Sequence, residues 1–149
     1  MAPVQKEELS ERTPRVEDYL EVISGLIREK GYARPVDISQ RLEVTPSTVT
    51  SMIQRLDKLG FLVYEKYRGI VLTPKGDELG KGIERRHRVV SRLLEILGLG
   101  GDIVYEDAEG IEHHVHPATV DRIEKLVEFF DRNPAIVRSL QRFIQAPEN

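Results

Sequence analysis

Apolar Val16, Leu20, Ile23 and Ile27 recur at helical spacing after Pro14 and stop before Gly31, which predicts a first helix from about Pro14 to Lys30. Thr13-Pro14, Thr45-Pro46, Thr73-Pro74 and Asn133-Pro134 each set a capping side chain before a proline at the first helical position, where the missing N–H costs nothing. Four helix starts follow from these pairs. A short helix is expected from about Pro35 to Leu42, then a tight turn through Glu43, Val44 and Thr45. The next helix runs from Pro46 to about Leu59, with Val49, Met52, Ile53 and Leu56 turned inward, and Gly60 ends it. Phe61 to Lys66 and Gly69 to Leu72 are β-rich runs around Tyr67-Arg68-Gly69, the pattern of a small hairpin. Beyond it come a long helix from Pro74 to about Leu97 and a break over Gly98 to Asp102. Three shorter helices follow, near Val104 to His114, Pro117 to Phe130 and Pro134 to Gln145.

Helix, short helix, tight turn, helix and hairpin, in that order, make a winged helix-turn-helix. The expected class is therefore mainly α: an N-terminal winged helix-turn-helix over residues 1–73, a long linking helix over 74–97, and a helical C-terminal domain over 98–149. Two amphipathic stripes in that last part, Val120, Ile123, Val127 with Phe130 and Ile136, Val137, Leu140 with Ile144, can serve as internal core or as an interface between copies.

Composition narrows the chemistry. The chain has no Cys, which removes disulfides, thiolate nucleophiles and cysteine-ligated zinc or iron–sulfur sites, so any metal must be held by carboxylates, imidazoles, carbonyls or water. No apolar run approaches the roughly 18 residues of a membrane span, and Met1 to Glu11 lack the apolar core of a secretory signal, so a cytoplasmic location is expected. The net charge of −3 conceals an asymmetry. Thr45 to Lys75 carries five basic against two acidic residues, whereas Gly101 to Asp131 carries nine acidic against two basic. One half suits a polyanion and the other suits cations.

On the third helix, Ser47, Thr48, Thr50, Ser51, Gln54, Arg55 and Lys58 lie off the buried stripe, with Thr45 as its cap. Short hydroxyls at a helix N-terminus followed by an amide and cations suit a DNA groove, because the leading N–H groups and hydroxyls reach phosphates and base edges. Lys66 and Arg68 at the hairpin tip would reach the backbone or the minor groove. A solvated polar face is the bland alternative, and the surrounding motif order argues against it.

In the acidic half, Glu109, Glu112 and His113 stand at i, i+3 and i+4, which on a helix brings three potential ligands to one face. Asp18 and Glu21, at i and i+3 on the first helix, lie opposite its apolar stripe. His87 falls in line with Ile83, Val90 and Leu94, a setting that also fits an ordinary core histidine. Each group has a structural alternative as a solvated or core residue. The inverted zincin pattern would need His where Glu109 stands, which argues against a zinc peptidase.

Thr13 to Glu21, Glu29-Lys30-Gly31-Tyr32-Ala33-Arg34, Tyr64-Glu65-Lys66-Tyr67-Arg68-Gly69 and Glu109-Gly110-Ile111-Glu112-His113-His114 together resemble the manganese-responsive branch of the diphtheria-toxin-repressor family, over about Thr13 to Phe130. The resemblance implies a homodimer of two-domain subunits, dimerised through the second domain, whose winged helices bind double-stranded operator DNA when metal is bound. It places the metal ligands on Asp18, Glu21, His87, Glu109, Glu112 and His113, with a pair of Mn²⁺ ions and Glu21 and Glu112 bridging. Iron-type relatives carry Met at the position of Asp18 and Cys at that of Glu109. Both are hard oxygen donors here, which suits Mn²⁺, with Fe²⁺, Co²⁺ or Cd²⁺ as alternatives. Competing readings are an iron-responsive repressor of the same family, a metal-independent winged-helix regulator, and a dinuclear-metal hydrolase. The last is weakest, because the ligand set leaves no separate general base or oxyanion donor.

Overall fold

A computed structural model describes residues 14–147 apart from Lys66. Thr13 and Lys66 lie outside the described residues, and so do the cap expected of Thr13 and the hairpin contact expected of Lys66. Helices α1 (Pro14–Lys30), α2 (Pro35–Leu42) and α3 (Pro46–Lys58) precede strands β1 (Leu62–Glu65) and β2 (Gly69–Leu72). After them come α4 (Pro74–Ile96), α5 (Gly101–Glu112), α6 (Pro117–Arg132) and α7 (Pro134–Gln145). The chain divides into two compact units, the first ending at Ile83 and the second beginning at Glu84, so that α4 contributes to both.

In the first unit the apolar faces of all three helices close over one core. Val16, Tyr19, Leu20, Ile23 and Leu26 of α1 meet Ile38 of α2 and Val49, Met52, Ile53 and Leu56 of α3. Phe61, Leu62, Ile70, Leu79 and Ile83 complete it. The four α3 positions expected to face inward do so. On α1, Tyr19 and Leu26 are buried and Ile27 only partly, so the apolar face is broader than the four-residue stripe suggested. Thr45 caps α3 by accepting from the Thr48 N–H, and Thr73 caps α4 by accepting from the Gly76 N–H at 3.1 Å while donating to the Gly60 carbonyl. Glu43 makes the turn between α2 and α3 in the left-handed region, at φ 55° and ψ 42°. The Ser39 hydroxyl braces this turn by donating to the Val44 carbonyl at 2.6 Å. β1 and β2 pair antiparallel from Leu62 opposite Leu72 to Glu65 opposite Gly69, which is the expected hairpin.

The second unit is built differently. Val90 and Leu94 of α4 pack with Val104 and Ala108 of α5, and Val120 and Val127 of α6 are buried. Charge fastens α6 to α4: the Arg85 guanidinium reaches Asp121 at 2.8 Å and also Glu124, and Arg92 reaches Asp131 at 2.6 Å. α5 begins at Gly101, three residues earlier than the apolar pattern indicated, with Asp102 favourably placed in its first turn. The Asn133 side chain does not cap α7. Its amide donates backwards to the Phe129 carbonyl at 2.7 Å, so Pro134 alone marks that start. His116 caps α6, accepting from the Ala118 N–H through Nδ1. Among the described residues α7 buries none of its own, and Ile136, Phe143 and Ile144 stand exposed.

Candidate metal centre and nucleic-acid interface

The second unit gathers four of the expected ligands by two local rules. Glu109 and Glu112 share a face of α5 because they are three residues apart. His113 follows as the residue that ends the helix, and its right-handed backbone (φ −73°, ψ −16°) keeps it within reach of Glu109. α4 supplies His87. Its Nδ1 lies 2.8 Å from Glu112 Oε2 and 3.6 Å from Glu109 Oε1. His113 Nε2 is 3.9 Å from a carboxylate oxygen of Glu109 and 3.9 Å from one of Glu112. Ligand atoms of His87, Glu109 and Glu112 all fall within 4.8 Å of one another, the spacing at which they can share an ion.

Burial separates these groups. The Glu112 side chain is 0% exposed, whereas those of His87 and Glu109 keep 29% and 31%. A carboxylate withdrawn from water is unfavourable without positive charge or donors around it, and a cation held by two carboxylates and two imidazoles would meet that need. The Tyr105 ring stands edge-on to His87 with centroids 6.5 Å apart, a neighbour that sequence spacing did not suggest. Asp18 and Glu21 belong to the first unit, where both lie on α1, partly exposed and off its buried stripe.

The candidate DNA surface lies wholly in the first unit. Ser47, Ser51, Gln54, Arg55 and Lys58 are exposed along α3, and Thr48 is partly covered. The hydroxyls are partly engaged already: Thr45 Oγ1 is 2.8 Å from Thr48 Oγ1 and 3.1 Å from Ser47 Oγ, and Thr50 donates to the Pro46 carbonyl. Ser51, Gln54 and Arg55 therefore stand out as the groups of α3 for a base edge or phosphate. At the hairpin, Arg68 keeps 74% of its side chain exposed beside Glu65, 3.6 Å away, and Tyr67 is 91% exposed.

Comparison with known proteins bears on both surfaces. Residues 6–70 match the model of the iron dependent repressor N-terminal DNA binding domain, and residues 73–145 match that of the iron dependent repressor metal binding and dimerisation domain. The chain belongs to the iron-dependent repressor family. Its relatives include an HTH-type transcriptional regulator MntR of Lysinibacillus sphaericus (strain C3-41), 50% identical over 129 residues that cover 87% of this chain and 93% of that protein. Another, of Bacillus pumilus (strain SAFR-032), is 51% identical over 121 residues, 81% of this chain and 84% of its own. Among solved structures, the manganese regulator SloR matches with a TM-score of 0.69 at 30% identity. The metal-dependent transcriptional regulator MtsR matches with 0.72 at 30% identity. Both cover 78% of this chain, which spans only 55% of their length. Membership of the iron-dependent repressor family bears out the expected fold class, a DNA-binding domain followed by a helical domain that binds metal and dimerises.

Proposed function

We propose that this protein is a manganese-activated transcriptional repressor: a homodimer that binds operator DNA when Mn²⁺ is bound and controls manganese homeostasis. The observation that carries this reading is the cluster of His87, Glu109, Glu112 and His113, assembled from nitrogen and hard oxygen donors in a chain without Cys. The names of its relatives support the choice of metal. Asp18 and Glu21 would be further Mn²⁺ ligands, adding two hard oxygen donors to the set. Residues 1–73 read DNA through Ser47, Thr48, Thr50, Ser51, Gln54, Arg55, Lys66 and Arg68, with Thr45 holding the helix start. Residues 98–149 dimerise and hold metal, and the helix over 74–97 links the two. The protein acts in the cytoplasm as a regulator and not as an enzyme.

Mechanism follows from charge. Bound Mn²⁺ supplies positive charge to a set of carboxylates that otherwise repel one another. With that repulsion removed, Asp18 and Glu21 would serve as ligands together with His87, Glu109, Glu112 and His113. The two winged helices of a dimer are then restricted to a separation near that of successive major grooves, about 34 Å, so less ordering remains to be done on DNA. No described helix is long and apolar enough to cross a membrane.

Mn²⁺ titrations with and without operator test the reading. Linkage requires DNA to tighten metal binding by the factor by which metal tightens DNA binding. Equal Mn²⁺ affinities in the two titrations would refute metal activation, and absence of Mn²⁺ binding would refute the metal centre itself.

A further inference from the structure

Inside the first unit, the end of α3 is fastened to the start of α4 through backbone carbonyls. A helix leaves its last carbonyls without donors of its own. Just past α3, the carbonyls of Leu59, Gly60 and Phe61 each take a donor from the opening of α4. Lys75 Nζ donates to Leu59 at 3.0 Å, the Thr73 hydroxyl to Gly60, and the Thr73 N–H to Phe61 at 3.1 Å. The same ammonium lies 4.6 Å from the centre of the buried Phe61 ring. Gly76 permits this closeness. A Cβ there would lie 1.8 Å from the Phe61 carbonyl oxygen and 2.8 Å from its carbon, and backbone cannot swing aside as a side chain can.

Lys75 is one of the five cations that make Thr45 to Lys75 basic, yet its ammonium is turned onto the protein's own backbone. Its use is therefore different from a phosphate contact. The buried stripe of Val49, Met52, Ile53 and Leu56 decides which face of α3 turns inward, but apolar contact is non-directional. Hydrogen bonds at the far end fix the direction of the helix. Ser47 precedes Leu59 by twelve residues, or about 18 Å at the helical rise. A tilt of about 5° about the C-terminal end would carry Ser47 about 1.6 Å, beyond what a hydrogen bond tolerates. We infer that Lys75 and Thr73 are positioning residues for DNA reading: they fix the aim of α3, and sequence discrimination depends on them although neither reads a base. This rests on the reading of α3 as the helix that meets base edges.

The test compares two DNA duplexes, one carrying an operator that the full-length protein selects from random sequence and one of the same length and composition in scrambled order. Both are measured with saturating Mn²⁺ at two salt concentrations. Lys75→Met keeps the apolar stem and removes the ammonium. It should lower the ratio of operator to scrambled affinity about tenfold, roughly the worth of one base pair, and leave the salt slope at the parent value. Thr73→Val alters no charge and should lower the ratio in the same direction. A purely stabilising role would weaken both duplexes through the folded fraction and leave the ratio alone. A phosphate contact at Lys75 would weaken both alike and take about one unit from the salt slope. Either outcome, or a parent-like ratio in Lys75→Met or in folded Thr73→Val, overturns the proposal. Should Thr73→Val fail to fold by circular dichroism, Lys75→Met decides, because its side chain is exposed and outside the core. Failure of the underlying reading looks different. If the parent selects no sequence, or Ser51→Ala and Gln54→Ala leave base preference unchanged, the reading of α3 fails and the positioning role with it. If only Lys75→Met and Thr73→Val behave like the parent, the positioning role alone fails.

Discussion

The two units solve the problem of burial in different ways. The first joins sixteen buried apolar residues from three helices, the hairpin and the start of α4 into one cluster, and of its two buried carboxylates, Glu17 and Asp37, the latter is paired with Arg34 and Lys30. The second joins only four in its cluster, buries a carboxylate at Glu112, and leaves the apolar side of α7 open. Burial of a Leu or Ile contributes about 1.5 to 3 kcal/mol, so a unit that closes its core needs nothing further. One that encloses a carboxylate and exposes Phe143 is completed by what binds it. The contrast teaches which half is scaffold and which half is receptor.

The comparison is broken most severely at Glu112. Replacing Glu112 by Gln, or His113 by Ala, should abolish Mn²⁺-dependent operator binding while the dimer stays folded. Gel-shift titration with Mn²⁺ and sedimentation velocity measure both. Full Mn²⁺ activation in either variant would mean that the buried carboxylate is structural and the second unit is no receptor. Next in size comes the open face of α7. Phe143→Glu should raise the dimer dissociation constant by about 100-fold, in the range of a central interface residue, without unfolding the monomer. An unchanged sedimentation profile would place dimerisation elsewhere.

The first unit is probed more gently. Ser51→Ala should lose roughly 1 to 3 kcal/mol at particular base pairs. Arg68→Ala should weaken all sequences alike and reduce the salt slope by about one unit. Single-base operator variants measured at two salt concentrations distinguish them, and a reversed outcome would exchange the roles of helix and hairpin.

The smallest effect is electrostatic and sharpens the picture of the second unit. The Arg85 guanidinium, hydrogen-bonded to Glu124, holds that carboxyl below its ordinary range. A carboxyl depressed in the folded state contributes stability above its unfolded value, near 4.3, and that contribution disappears as pH falls through the folded value. Urea midpoints should therefore separate the parent from Glu124→Gln at pH 7 by no more than about 1 kcal/mol, and the gap should close in acid. A gap that widened on acidification would exclude the pair as its source.

Much of this was legible because the residues involved act locally. Thr45 and Thr73 cap their helices as expected, since a hydroxyl two or three residues before an N–H has few other places to go. Glu109 and Glu112 share a face for the same reason. Where another partner competed, the pattern failed. The Asn133 amide had a free carbonyl at Phe129 within reach and took it, and Tyr19 and Leu26 are buried by α1's neighbours and not by any period of its own. The second stripe, Ile136 to Ile144, is as apolar as the first on paper. Periodicity marks a face to be covered without saying whether this chain or another copy covers it.

Glu43, finally, bears on how such a protein can vary. A non-glycine residue in the left-handed region costs about 1 to 2 kcal/mol, and glycine in its place would give back about 0.4 to 1 kcal/mol through the greater freedom of the unfolded chain. The balance favours glycine by only about 1 kcal/mol. The turn between the two helices of the DNA-reading pair is therefore a position of small cost, where an anion can be gained or lost with a modest consequence for folding. Affinity for a phosphate backbone can drift or be tuned at that one position, leaving the core and the ligands untouched.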